Sequence, residues 1–211
     1  MSGFAERLEK VRARIDRAGG ERVVLVGVAK TFPVALIEDA LAAGLYDIGE
    51  SYAPELREKA EAVDAGSGVR WHFVGGLQRN KVRQLAGHVS LWQSIDRAPL
   101  VDELIKRDPG AAILVQVNST DEEQKSGCAP AEAEALVDRA RAGGLDVQGL
   151  MTIGKIDDLG ATRSAFEATR GLADALGLHH CSMGMSNDLE VAVEAGSTMV
   201  RVGRDLFGAR S

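Results

Sequence analysis

The sequence predicts an α/β protein built on a closed (β/α)8 TIM barrel, and three observations lead there. Short apolar runs rich in β-branched residues occur eight times, at 23–29, 45–48, 69–74, 89–93, 112–118, 147–153, 179–182 and 199–202, and helical patterns separate them. Such alternation implies parallel strands joined by right-handed crossovers, and eight strands favour closure over an open doubly wound sheet. An open sheet normally carries a glycine-rich dinucleotide turn after its first strand, whereas the turn here reads AKTFPV. Finally, 211 residues suffice for one such barrel, and no Pro/Ser-rich linker, low-complexity tract or repeat divides them. Residues 1–211 therefore read as a single domain.

The elements follow in order. Phe4, Leu8, Val11 and Ile15 recur at spacings of three and four, giving an extra amphipathic helix ahead of the barrel that Gly19 and Gly20 end. The first strand run, VVLVGVAK, is continuously apolar, as expected of a strand buried on both faces, and closes on Lys30. Helical patterns then lie at 34–43, 54–63, 80–86, 98–106, 130–142, 159–176 and 188–195, each between two strand runs. After the last strand RVGRDLFGAR leaves room for a short final helix.

Charge and composition exclude several classes. The net charge is −6 and the pI about 5.3, so no overall basic field draws the chain to nucleic acid or an anionic membrane. No stretch approaches the ~20 apolar residues of a membrane span, and the charged N-terminus lacks a signal-peptide core. Cys128 and Cys181 are too few for a disulfide framework and lack metal-ligand spacing, which points to reduced thiols in a cytoplasmic protein that binds no metal.

The chemistry gathers at the C-terminal ends of the strands, the functional face of such barrels. Lys30 would place an amine at the mouth of the first strand, where a desolvated amine is a Schiff-base nucleophile. On position alone it could equally be a strand-ending lysine that snorkels to water. After the seventh strand SMGMSND (182–188) offers Ser182 and Ser186 hydroxyls, Gly184 for close backbone approach, and a helix start at Ser186, Asn187 or Asp188. Gly203 opens the backbone again after the eighth strand. Each turn taken alone could be an ordinary capped βα connection; together they make an anion cradle. Closure of the barrel sets the first strand beside the eighth, so the amine and the cradle would share one mouth. That pairing suits pyridoxal 5'-phosphate, whose aldehyde and phosphate need those two partners.

The segments VAKTFP (28–33), GLYDIGESYAPELREK (44–59), WHFVGGLQRNK (71–81), ILVQVN (113–118), KSG (125–127), GLMTIG (149–154), SMGMSNDLEVAVEAGSTMVRVG (182–203) and FGAR (207–210) resemble, in order and spacing, the pyridoxal-phosphate homeostasis proteins of the YggS/PROSC family. The resemblance implies a one-domain version of the alanine-racemase N-terminal barrel that carries pyridoxal phosphate as an internal aldimine on Lys30. It further implies phosphate held by Ser182, Gly203 and the Arg204 amide, with Gly184 in the same loop. Arg201 would face the pyridine nitrogen, and Ser51, His72 and Met151 would fall in segments that line the pocket. The chain departs from the family pattern at three places: Ser51 stands where GEN has asparagine, Gly76 where GHLQ has histidine, and Arg204 where threonine is common. A serine has one oxygen where an amide spreads its donor and acceptor over two atoms, which puts a contact near Ser51 in question, whereas arginine suits phosphate well. The implied function is a non-catalytic, monomeric carrier in vitamin B6 homeostasis that could supply apoenzymes. A pyridoxal-phosphate-dependent racemase or decarboxylase is the alternative, and a barrel enzyme acting on another phosphorylated metabolite is a third reading.

Overall fold

The computed structural model describes residues 3–120, 122 and 124–208; Ala209 and Arg210 of the FGAR segment lie outside the described residues. Eight parallel strands close on themselves in chain order: β1 (Val24–Val28), β2 (Asp47–Glu50), β3 (Arg70–Phe73), β4 (Leu91–Ile95), β5 (Ala112–Gln116), β6 (Asp146–Met151), β7 (His180–Ser182) and β8 (Met199–Val202). Closure is made by β1 against β8, with Val26 in register with Arg201 and Gly27 with Val202. The expected barrel is present.

Around it run α1 (Gly3–Arg17), α2 (Val34–Ala42), α3 (Ala53–Ala62), α4 (Arg79–Leu85), α5 (Ala98–Arg107), α6 (Ala133–Ala142), α7 (Leu159–Ala175), α8 (Leu189–Glu194) and α9 (Arg204–Phe207). The extra helix α1 buries Phe4, Leu8, Val11 and Ile15, the stripe its periodicity marks, and packs on α2, α8 and α9. Phe207 of α9 lies between Phe4 and Phe32, with ring centroids 5.3 and 5.4 Å away. Arg14 ties the same seam together through Glu190, Asp205 and the Ser186 carbonyl. Thus α1 braces the helices that follow β7 and β8.

Strand boundaries move by a few residues from the sequence expectation. β4 begins at Leu91 rather than at 89, and β1 stops at Val28, so Lys30 stands two residues past the strand instead of at its last position. The physical reason is a turn: Ala29 N–H still bonds the Gly49 carbonyl, but Thr31 takes φ 69° and swings the chain away.

The main apolar core lies between sheet and helices, where Ile37, Leu56, Leu100 and Phe166 are fully buried. A smaller set, Val26, Leu91, Leu114, Met151 and Met199, fills the barrel interior. That interior is unusual for the fold, whose inner layers are commonly aliphatic throughout: His72, Gln93, Ser182 and Arg201 are buried as well. Among the described residues no helix is long and apolar enough to cross a membrane.

Candidate functional site

A cavity of about 630 Å³ opens at the C-terminal ends of the strands, a size suited to a small-molecule ligand. Of the residues expected there, Lys30, Ser51, Arg201, Gly203 and Arg204 line it. Closure of β1 on β8 brings them together from opposite ends of the chain. The Lys30 side chain reaches this space with no hydrogen bond or ion pair to any described residue, and the same holds for the Arg204 guanidinium.

The turn that carries Lys30 is clamped on both sides. Lys59 of α3 is buried, and its ammonium donates to the Ala29 carbonyl (2.9 Å), to Glu50 Oε1 (2.5 Å) and to Glu55 Oε2 (3.1 Å). Glu55 Oε2 in turn accepts the Thr31 N–H at 2.8 Å, so the peptide groups before and after Lys30 are both held. A non-glycine residue at φ 69° costs roughly 1–3 kcal/mol, and this double attachment is what holds Thr31 there. Burial pushes the Glu50 carboxyl upward, and the hydrogen bond and charge of Lys59 only partly oppose it.

Arg201 forms the floor. Its guanidinium donates through Nη1 to Ser182 Oγ (2.7 Å) and through Nη2 to the Thr152 carbonyl (2.9 Å). Burial lowers its pKa to about 10, with the Asp188 carboxylate opposing the shift, so it remains a cation at neutral pH. Asp188 also lines the cavity, where burial raises its pKa against the Met185 N–H that it accepts at 2.5 Å and the charge of Arg201.

Four expected site residues sit behind the cavity wall rather than on it. Ser182 has no exposed surface, and its hydroxyl is committed to Gln93 and Arg201. His72 is buried between Asp47 (Nε2, 3.1 Å) and Gln93 (Nδ1, 2.8 Å). Met151 belongs to the apolar interior. Gly184 has φ +99° and passes so close to α8 that a Cβ on it would come within 2.4 Å of Ala192 Cβ, which makes packing the reason for glycine there.

The free main-chain donors at this mouth belong to the next residues. Ser186, Asn187 and Gly203 line the cavity, and no hydrogen bond within the described residues reaches the main-chain N–H groups of Ser186, Asn187 and Arg204. A Cβ added to Gly203 would meet only the Val28 carbonyl at 3.4 Å and Val28 Cβ at 3.9 Å. A Cβ there makes ordinary contact with Val28 and would take space from a ligand in the cavity. A turn bare of side chain, free amides and an unpaired guanidinium fit a phosphate; the unpartnered Lys30 amine across the same space fits an aldehyde. At Gly76, where GHLQ has histidine, an added Cβ would touch nothing within 4 Å.

Several participants are not singled out by the sequence. Glu55 and Lys59 stand four apart on α3, a spacing that says nothing of burial, and Lys59 is buried. Gln93 did carry a signal: it is a glutamine inside the apolar run LWQSI.

This barrel, with its amine, buried arginine and free main-chain amides at one mouth, is of the alanine-racemase N-terminal type: the profile of the family described as alanine racemase, N-terminal domain, matches residues 2–211. Within that class the similarity narrows. Proteins named pyridoxal phosphate homeostasis protein from Pseudomonas aeruginosa and Escherichia coli K12 are 40% and 35% identical, each across 100% of this chain and 97% and 98% of the relative. The solved structure of PipY from Synechococcus elongatus with pyridoxal phosphate bound superposes with a TM-score of 0.86 at 30% identity, over 97% of this chain and 100% of that one. Alanine racemase of Corynebacterium glutamicum shares the fold (TM-score 0.75, 18% identity), with 98% of this chain matching 60% of the racemase. The chain belongs to the pyridoxal phosphate homeostasis protein family.

Proposed function

We propose that this protein binds pyridoxal 5'-phosphate in the 630 Å³ cavity, joined to Lys30, and serves vitamin B6 homeostasis as a monomeric cytoplasmic carrier without turnover. The observation that carries this reading is the unpartnered Lys30 amine facing a cradle of free amides and Arg204, in a family whose member PipY has been solved with the cofactor. When bound, the cofactor's aldehyde condenses with an amine, forming a C=N bond and releasing water. Gly203, the Arg204 side chain and amide, and the Ser186 and Asn187 amides would hold the phosphate, and Ser51 would contact the cofactor from the β2 end. Ser182, His72, Met151 and Gly184 support the site from behind.

The non-catalytic reading rests on Arg201 and on which groups face Lys30. A fixed guanidinium beside the pyridine nitrogen disfavours its protonation and weakens the cofactor as an electron sink. Racemases with an arginine there add a tyrosine acid/base on the opposite face, whereas Tyr46 and Tyr52, the two tyrosines of this chain, do not line the cavity. Buried, unpaired Cys128 and Cys181, whose pKa values burial raises to about 12 and about 11, are inert thiols suited to a reducing compartment.

Borohydride reduction of the loaded protein followed by peptide mass spectrometry tests the attachment. The label should appear on the Lys30 peptide and vanish in Lys30→Ala with the fold intact; a label on Lys155 or Lys125 would refute the assignment. In deuterated water, α-proton exchange of alanine and other amino acids should stay near background, and rapid exchange that depends on Lys30 would establish the racemase reading instead.

A further inference from the structure

Arginine only donates hydrogen bonds and a carboxylate only accepts them, and in this barrel a single file of buried side chains runs from one to the other. Arg201 Nη1 donates to Ser182 Oγ at 2.7 Å, so the Ser182 hydrogen is free to point onward, to Gln93 Oε1 at 2.6 Å. That contact assigns the Gln93 amide: its Nε2 faces His72 Nδ1 at 2.8 Å and Met199 Sδ at 3.0 Å, using both amide hydrogens. His72 Nδ1 must then accept, which leaves the proton on Nε2, and Nε2 lies 3.1 Å from Asp47 Oδ1. Every link points the same way. The reverse order fails: a hydrogen on Nδ1 would turn the Gln93 amide round, set its NH2 against Ser182, and leave the serine hydroxyl with two donors and no acceptor.

We propose that Gln93, His72 and Asp47 are positioning residues for Arg201, forming with Ser182 a one-way hydrogen-bond chain that ties the guanidinium at the cavity floor to the opposite end of the barrel. Gln93 and Ser182 have no exposed surface, so bulk solvent does not reach the middle of the chain. Apolar side chains would fill these interior positions at lower desolvation cost, as they commonly do in this fold. Asp47 ends the chain at the N-terminal mouth, where it also pairs with the exposed Arg70 and lines a second cavity of about 260 Å³. Loss of the Asp47 carboxylate at that far mouth therefore alters how the Arg201 guanidinium is held, whereas loss of Arg70, which stands outside the file, does not. The consequence for the bound cofactor rests on the function proposed above; the chain itself does not.

The test uses Asp47→Ala, which cuts the chain at its partly exposed end, Gln93→Leu, which cuts it in the middle, and Arg70→Ala as the control that removes Asp47's other partner. In the ¹⁵N-labelled protein without cofactor, the His72 ring should be the Nε2–H tautomer, and the Arg201 side-chain N–H signals should exchange slowly. Those Arg201 signals should shift in Asp47→Ala and Gln93→Leu and stay in place in Arg70→Ala. After loading with pyridoxal phosphate, the absorbance maximum should move in the first two variants and not in the third. A His72 Nδ1–H tautomer, or Arg201 signals indifferent to Asp47→Ala, would overturn the proposal even if Gln93→Leu fails to fold. Failure of wild-type protein to take up pyridoxal phosphate would count against the functional reading alone, since the cofactor-free spectra judge the chain.

Discussion

Replacing Lys59 by methionine removes the cation that three acceptors share while keeping most of the stem that packs beneath the Lys30 turn. Glu50 has no exposed surface, and Lys59 is its only cationic partner among the described residues. Left alone, its carboxylate would neutralise sooner than stay charged in a dry site. Protonating a carboxyl of ordinary pKa 4.5 at about pH 7 costs about 3 kcal/mol, which caps the electrostatic part of the loss. The Ala29 carbonyl keeps the Phe32 N–H at 3.1 Å but loses the ammonium, adding roughly 1 kcal/mol. Lys59→Met should therefore lower unfolding free energy by about 3–4 kcal/mol in urea titrations at neutral pH. The pH dependence has a definite sign. A carboxyl whose pKa is raised on folding holds more protons in the native state, so stability is greatest in acid and is lost as pH rises through the raised value. Burial already raises Glu50 in the wild type, and without Lys59 it should rise further; Lys59→Met should weaken more steeply than wild type as pH rises above the ordinary carboxyl value of 4.5. Adding Glu50→Gln removes the stranded charge and should recover most of the loss. A single-variant cost under about 1 kcal/mol, or a double variant no more stable than Lys59→Met, would refute this account of the buried pair.

Two further predictions follow from geometry. Gly203→Val should fold normally, because its Cβ meets only Val28 at 3.4 Å or more, yet should lose pyridoxal phosphate on gel filtration; undiminished retention would remove Gly203 from the cradle. Asp47 should steepen acid denaturation: burial opposes its ionisation, but the hydrogen bonds from His72 and Arg70 outweigh burial and hold its pKa at about 2, below the ordinary 3.8. A depressed carboxyl contributes stability above its unfolded pKa and loses it as pH falls through the folded one, here about 2 kcal/mol between about pH 4 and pH 2. Urea midpoints across that range should fall less in Asp47→Asn than in wild type, and parallel acid limbs would show that Asp47 contributes nothing there.

Much of this molecule was legible in the order of its residues, because the signals involved are local. Short apolar β-branched runs mark β1 to β8, helical spacing marks the helices between them, and the stripe Phe4, Leu8, Val11, Ile15 marks α1, since each depends on side chains a few positions apart. Closure in chain order follows from the count of βα units, and it places Lys30 at the same mouth as Gly203 and Arg204, on the neighbouring strand's turn, without knowledge of a single contact. Tertiary structure alone decided which side chains face the ligand space and which face each other. Ser182 and Ser186 share a loop and a chemistry, but strand β7 turns the Ser182 hydroxyl inward to Gln93 and Arg201 while Ser186 lines the cavity. Nothing in the local sequence sets Lys59 apart, yet packing of α3 against β2 buries it under the Ala29 carbonyl. Asp47, His72, Gln93, Ser182 and Arg201 are separated by up to 154 positions along the chain (201 − 47), and only closure of the barrel sets their polar atoms within hydrogen-bonding distance. Hydrogen-bond direction depends on which donors and acceptors meet in space, and no local pattern encodes a meeting of residues so far apart.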